Sequence, residues 1–572
     1  MNKIIISLVF FAFIPFLIQA QYEDAEAVFE KIVKEYTLND DGSVDYHYHK
    51  QLKLNSYMSF NRMYGETFII YNPEFQKLTI DDAYTIMADG KKVITPKNAF
   101  NKVLPRAAAH SATFNHLREM VVTHTALEIG ATIYLDYTIS TQKDFLPALM
   151  GNEILQESSP VKEMEIIIKV PVTVELYHKM FNLRTGPEII VQGSQKIYSW
   201  KFGGIKASAQ ESHLDEYLQK VPRLTFSTSD QMNKMVEWVT KQPAFDFEAN
   251  GEMTDFVKGI TDECKDEILC MLEIQKEVVT NSKYDRVNPA YNGFRARTAS
   301  LTWKSNGGNQ LEKAILLSIL LKQARFNATP VLVGPRHFFD KNVGTLLLFE
   351  EILVRVNTKS QGEIFISPTR ISDINLKQVL DNSVLLPLTK ERELDILEPN
   401  SGKNSIEMVA AFASEEIEKI TGEIDLKLSG AANPYFSFAE DSEYAKNMFS
   451  LGLSKDDLEK CKLTSSNEFE SKVTLEVNAE SNFIKMGDYY KWDMPVLKNG
   501  FEDWHISYPE PNRMSVFEVP FPIEEKYEFS FEIPDSYSFA NIKVNDQIRN
   551  KVGSVVVQIT PKGNVIKVKR EI

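Results

Sequence analysis

The chain has 572 residues, with 64 lysines and arginines against 79 aspartates and glutamates, a formal net charge of −15. That length allows about three or four domains of ~150 residues, and 43% apolar residues exclude a broadly disordered chain. The acidity argues against nucleic acid and anionic membrane surfaces as electrostatic partners; spread along the chain, it reads as solubility.

Residues 1–20 read as a signal peptide. Lys3 forms a short basic region, Ile4 to Ile18 an apolar run, and Ile18-Gln19-Ala20 a cleavage site. As a helix the run would span about 22 Å, short of the ~30 Å hydrocarbon core. No cysteine follows the cleavage site, which argues against a lipoprotein anchor, and no later segment approaches a membrane span. The expectation is an exported chain, periplasmic or secreted, cleaved after Ala20.

Glu23 to Tyr36 carries Val28, Phe29, Ile32, Val33 and Tyr36, a spacing that predicts an amphipathic helix. Asn39-Asp40-Asp41-Gly42 predicts a turn. From Ser43 to about Arg223 the pattern is strand-like: Val44, Tyr46 and Tyr48 alternate with Asp45, His47 and His49. Denser runs follow at Phe68 to Tyr71, Thr132 to Tyr137, Met164 to Val170 and Ile197 to Trp200, with turns expected at Asp89-Gly90 and Gly203-Gly204. Residues 21–226 are therefore expected to form an antiparallel β-sandwich.

Composition changes near Ser227. Helices are predicted at Asp230 to Thr240, at Met253 to Val279 with a break near Gly259, and at Gln310 to Ala324. Strands are predicted at Thr329 to Val333, Thr345 to Val356 and Glu363 to Ile366. Residues 227–389 are thus expected to be a central α+β domain. After the charged connector Lys390 to Lys403, strands resume at Gly422 to Leu428, Lys472 to Val477, Tyr527 to Ile533 and Ser554 to Lys569. Asn545-Asp546 and Pro561-Lys562-Gly563 read as turns. Residues 390–572 are expected to form a C-terminal β-sandwich, making the whole an α+β multidomain protein.

Cys264, Cys270 and Cys461 are the three cysteines. On one helix, Cys264 and Cys270 would point about 120° apart with Cα atoms ~9 Å apart along the axis. That exceeds the reach of a disulfide, so three free, mostly buried thiols are expected.

The segment Gly308-Asn309-Gln310-Leu311-Glu312-Lys313-Ala314 precedes an apolar stretch, Ile315 to Leu321, and a β-run, Thr329-Pro330-Val331-Leu332-Val333. It resembles the Gly-Asp-Cys-Lys-Asp-Lys-Ala motif of transglutaminase-like cysteine enzymes of the papain type. With its order of domains, nearly the whole mature chain resembles exported bacterial proteins of that kind, with an N-terminal domain of unknown function. The most specific part runs from Phe294-Arg295-Ala296-Arg297-Thr298-Ala299 to Val333.

The resemblance implies a Cys-His-Asp triad, in which a thiolate attacks a carbonyl, a histidine acts as base and an acid orients it. Here the cysteine position holds Gln310. The Phe-Asn-His-like site reads Phe349-Glu350-Glu351, and the Asp-Pro-Thr-like site reads Ser367-Pro368-Thr369. A primary amide has no titratable group and is no nucleophile. Gln310, Glu351 and Ser367 are therefore read as vestigial triad positions with no catalytic residue among them, expected to form a hydrogen-bonded cluster filling the old site. Glu263-Cys264-Lys265-Asp266-Glu267 mimics the lost motif, but lacks the buried apolar helix and strand that must follow it.

Other constellations are weaker. His47 and His49 share a strand face at two-ligand spacing without a third ligand, so no metal is expected. His110, His116 and His337 carry no motif. Asp81 and Asp82 face opposite ways on a strand and suit no glycosidase. No P-loop, dinucleotide fingerprint, HExxH or GxSxG occurs, and no cofactor is expected. Tyr489, Tyr490, Trp492, Trp504 and Tyr508 could form a sugar-stacking platform, although packing is the commoner use of such rings. Phe100, Phe114 and Phe145 are read the same way. Three functions follow, in order: an inactive transglutaminase-like protein binding or scaffolding a peptide, glycan or partner protein; an active transglutaminase, peptidase or amidase with relocated residues; and a periplasmic carbohydrate-binding protein.

Overall fold

In the computed structural model, the described residues are 22, 24–208, 221–371, 375–380, 383–389, 394–397, 403–416, 419–440, 444–445, 447–480, 483–498, 500–504, 519, 521–540 and 543–572. The signal peptide expected at 1–20 lies outside them. Among the described residues strands hold 45% and helices 20%, which overturns the α+β expectation. The protein is a β-rich multidomain chain, its longer helices confined to Met232–Gln323.

The largest single departure is at the start. The expected helix over Glu23 to Tyr36 is a strand, Ala27–Leu38, at the heart of an eight-stranded sheet. It pairs antiparallel with Val44–Leu54, setting Ile32 opposite Lys50 and Tyr36 opposite Tyr46. On its other side it runs parallel to Val161–Pro171, so the sheet is not purely antiparallel. Two of the apolar positions that mark a helix face, Ile32 and Tyr36, also lie on one face of a strand, with Leu38 after them. Val28, Ile32, Val33 and Thr37 are β-branched, and tertiary pairing decides between the two periods.

Two three-stranded sheets cover one face of this large sheet. One is built from Met150–Ile154, Arg223–Ser227 and Tyr177–Phe181, the other from Glu66–Tyr71, Arg118–Thr123 and Phe100–Val103. Leu224 and Phe226 pack with Ile32, Ile166 and Trp200, and Ile69 and Val122 with Ala83 and Leu135. Between the layers, Lys34 Nζ donates to Glu153 Oε2 at 2.9 Å and Tyr36 Oη to Glu153 Oε1 at 2.5 Å. The turn expected at Asn39 to Gly42 forms, with Gly42 N–H donating to Asn39 O. Gly203-Gly204 instead lies within the strand Gln195–Ile205.

In the middle of the chain, helices Met232–Thr240, Gly251–Glu263 and Glu267–Lys276 surround Gln310–Gln323. Every residue from Leu311 to Leu321 is buried, as expected of a helix apolar on most sides. This helix packs on a five-stranded antiparallel sheet ordered Gly362–Ile366, Glu351–Thr358, Asn327–Pro335, Ser383–Pro387, Asp395–Ile396. The helix break expected at Gly259 falls at Cys264 instead, because Asp266 caps the next helix by accepting from Ile268 and Leu269 N–H. The strand expected from Thr345 begins only at Glu351.

Among the described residues, the C-terminal part is built on one eight-stranded sheet with two two-stranded sheets beside it, rather than on two large facing sheets. Its centre pairs Ser405–Ala413 parallel with Glu524–Glu532. Phe438, Met448, Phe449 and Leu497, from short turns and two very short strands, cover its apolar face. Asn545-Asp546 lies inside the strand Val544–Arg549, not in a turn. Among the described residues no helix is long and apolar enough to cross a membrane.

Candidate functional site

The site grows from the first turn of the Gln310–Gln323 helix. Asn309 is its N-cap, with Oδ1 accepting from Glu312 N–H at 3.0 Å while Glu312 Oε2 accepts from Asn309 N–H at 3.2 Å. This is a capping box. Arg297 locks it: Nε donates to Glu312 Oε1 at 2.8 Å, Nη2 donates to Oε2 at 2.7 Å, and Nη2 also reaches Gly307 O at 2.8 Å. Gly308 is required beside this pair, since a Cβ there would meet Glu312 Cβ and Thr302 Cγ2 at 3.0 Å. Lys313 is fully buried and donates from Nζ to Val278 O at 2.7 Å and to Ser282 O. Burial pushes its pKa down to about 8.

Gln310 stands at the first helical position and donates from Nε2 to Ile352 O at 3.1 Å. A pocket of about 170 Å³ opens beside it, lined by residues that include Tyr284, Arg286, Asn288, Phe349 and Glu350. Glu351 pairs instead with Arg370, Oε1 to Nη2 at 2.7 Å. Ser367 is fully buried; its Oγ accepts from Thr369 N–H at 3.3 Å, and its carbonyl accepts from Gln275 Nε2 at 2.9 Å. The fold places the three residues on one helix start and two neighbouring strand ends. Each takes a partner of its own, and the hydrogen-bonded cluster expected among them does not form. The ring of Arg370, Arg286 and Tyr284 carried no sequence signal. Tyr284 is pushed up from its usual pKa by burial, with both arginines opposing and Glu351 adding to the rise.

The thiols lie elsewhere. Cys264 ends the Gly251–Glu263 helix, and Cys270 is buried in the next one. The helix breaks between them, so the separation that a continuous helix imposes does not apply. Burial, then the contact with Cys264, pushes the Cys270 thiol up to about 12. None of the three cysteines is in a disulfide.

His47 and His49 both face Asp136, at 3.5 and 2.8 Å from Oδ1. Among the described residues no group of three or more His, Cys, Asp or Glu is placed to hold a metal. Asp81 accepts from Thr138 Oγ1 at 2.7 Å, and His337 packs on Phe338 with ring centres 4.2 Å apart. Trp492 packs against Phe412 and Phe531 at 5.2 and 5.0 Å, and Trp504 against Phe521 at 5.3 Å. Tyr489 is exposed and Tyr490 sits against Tyr537, so these rings form no continuous platform; Tyr508 lies outside the described residues. Phe114 and Phe145 are buried.

Two families match parts of the chain. A domain of unknown function with solved structure, DUF3857, matches residues 40–209, and a second, DUF3858, matches residues 490–572. No curated protein matches. Among solved structures, the chain is similar to a "putative protease" from Parabacteroides distasonis ATCC 8503. The two are 26% identical, the match covers 96% of this chain and 92% of that one, and the TM-score is 0.70.

Proposed function

We propose that this chain is an exported, catalytically inactive transglutaminase-like protein, built from parts at 21–226, 227–389 and 390–572, that works by binding. One observation carries the reading. Gln310 occupies the helix N-terminus where a nucleophilic thiol would stand, its amide is engaged by the Ile352 carbonyl, and a pocket remains open beside it. Both DUF3857 and DUF3858 are known from transglutaminase-like proteins, which supports the family resemblance. Cys270 is buried with its thiol pushed up, and Cys264 closes the helix Gly251–Glu263, away from the first turn of the Gln310 helix. Neither replaces the missing nucleophile.

Tyr284, Arg286, Asn288 and Glu350 give the pocket donors and acceptors suited to a peptide segment. Incubation with glutamine- and lysine-containing peptides and an amine donor should give no transamidation or cleavage, while the same peptides raise the unfolding temperature. Turnover that thiol alkylation abolishes would sink this proposal. It would favour the competing reading, an active transamidase, peptidase or amidase with relocated residues, which the description of the Parabacteroides protein supports.

A further inference from the structure

A larger cavity, about 430 Å³, lies where the middle of the chain meets the C-terminal sheet. Leu272, Phe365 and Ile371 form one wall, and Ile406, Leu428 and Phe436 the other. Its size falls in the ~300–1,000 Å³ range of small-molecule sites, which are mostly apolar with a few polar groups that fix orientation. The polar groups are one-sided in charge. Among the described lining residues the charged ones are Lys276 and Lys498, with no aspartate or glutamate, in a chain of net charge −15. Both lysines are exposed. Lys276 has a partner, Glu273, at 3.2 Å, but an exposed pair of this kind is weak and readily exchanged for a better one.

We propose that this cavity binds an amphiphile with one acyl chain and a carboxylate head. The chain lies between the two apolar walls, and the head takes charge-assisted hydrogen bonds from Lys276 and Lys498. Burying a flexible apolar chain between two elements accounts for a cavity lined from both sides. The two lysines account for the choice of an anionic head over a neutral or cationic one. The site is independent of the pocket beside Gln310, although Gln275 lines it and also holds the Ser367 carbonyl.

Calorimetry on the full chain with sodium decanoate, below its micellar concentration, tests the assignment. One saturable site is expected, with decyltrimethylammonium binding at least about tenfold more weakly. The surface variant K276Q/K498Q should fold normally and lose most of that preference. The variant A432F, which fills the cavity where Ala432 lines it, should abolish saturable binding. Absence of saturable decanoate binding would overturn the proposal, as would equal binding of the decyl cation. Decanoate affinity unchanged in K276Q/K498Q would overturn it too, and that measurement does not depend on A432F folding.

Discussion

Arg297 grips Glu312 through Nε and Nη2 at 2.8 and 2.7 Å, joining the segment before the short helix Ala299–Lys304 to the first turn of the Gln310 helix. Glu312 is 1% exposed, so its charge has no solvent to fall back on, and the guanidinium supplies the planar fork that a lysine cannot. The first turn of the helix is thus held both by its own capping box and by Arg297. What stands at its tip is an amide.

Removing one side of that pair should be costly. Arg297→Met leaves a buried carboxylate without its partner, which costs on the order of 3 kcal/mol, while R297M/E312Q should recover part of the loss. Urea unfolding of the four forms of the cycle measures the coupling. A loss below about 1 kcal/mol for Arg297→Met would mean that the pair is not what fixes the helix start.

The helix over Gln310–Gln323 was legible because eleven consecutive residues are buried and apolar residues dominate them, so no alternative period competes. The strand at Ala27–Leu38 was not, because Val28, Ile32 and Tyr36 satisfy a helical spacing while one of its two flanking strands, Val161–Pro171, lies more than a hundred residues away. The C-terminal part misled in the same way: strand patterns mark some of the strands but not whether they share one sheet. At the site, the helix start and its glutamine could be read from spacing. The engagement of Glu351 by Arg370 could not, because it depends on where a loop returns after the strand Gly362–Ile366. Likewise Cys264 and Cys270 fall on separate helices because Asp266 starts a new helix between them.

His124 gives the fold an acid-sensitive point. It is buried, with Nε2 2.9 Å from Thr67 Oγ1, and burial, aided by Lys50, pushes its pKa down to about 3. The unfolded chain, near 6.5, binds more protons than the folded one between those values, so this group's contribution is present above pH 6.5 and is lost as pH falls toward 3. The slope is at most about 1.4 kcal/mol per pH unit. Urea midpoints from pH 7 to 4 should fall less steeply for His124→Gln than for the parent chain; parallel curves would refute the assignment.

Alkylation should rank the thiols. Cys270 is buried and its thiol is held up to about 12, whereas Cys264 and Cys461 are half-buried. Iodoacetamide at pH 8 should label Cys264 and Cys461 first, with Cys270 labelled only after unfolding, as read by mass spectrometry of peptides. Early labelling of Cys270 in the folded chain would contradict its burial.

Gln310→Cys separates a lost nucleophile from a lost machine. A thiol at this helix N-terminus gains from the dipole and from the first-turn N–H groups, so its pKa should fall below the usual ~8.5, and its alkylation should outpace that of Cys264 at pH 7. Among the described residues no histidine lines the pocket beside it, Glu351 is paired with Arg370 at 2.7 Å, and Ser367 is fully buried beside Thr369, so the described lining supplies no imidazole to take and return a proton. The expected outcome is a reactive thiol without turnover on glutamine or lysine peptides. Multiple turnovers by Gln310→Cys alone would show that a working base survives near the pocket, and the inactive reading would fail at its foundation.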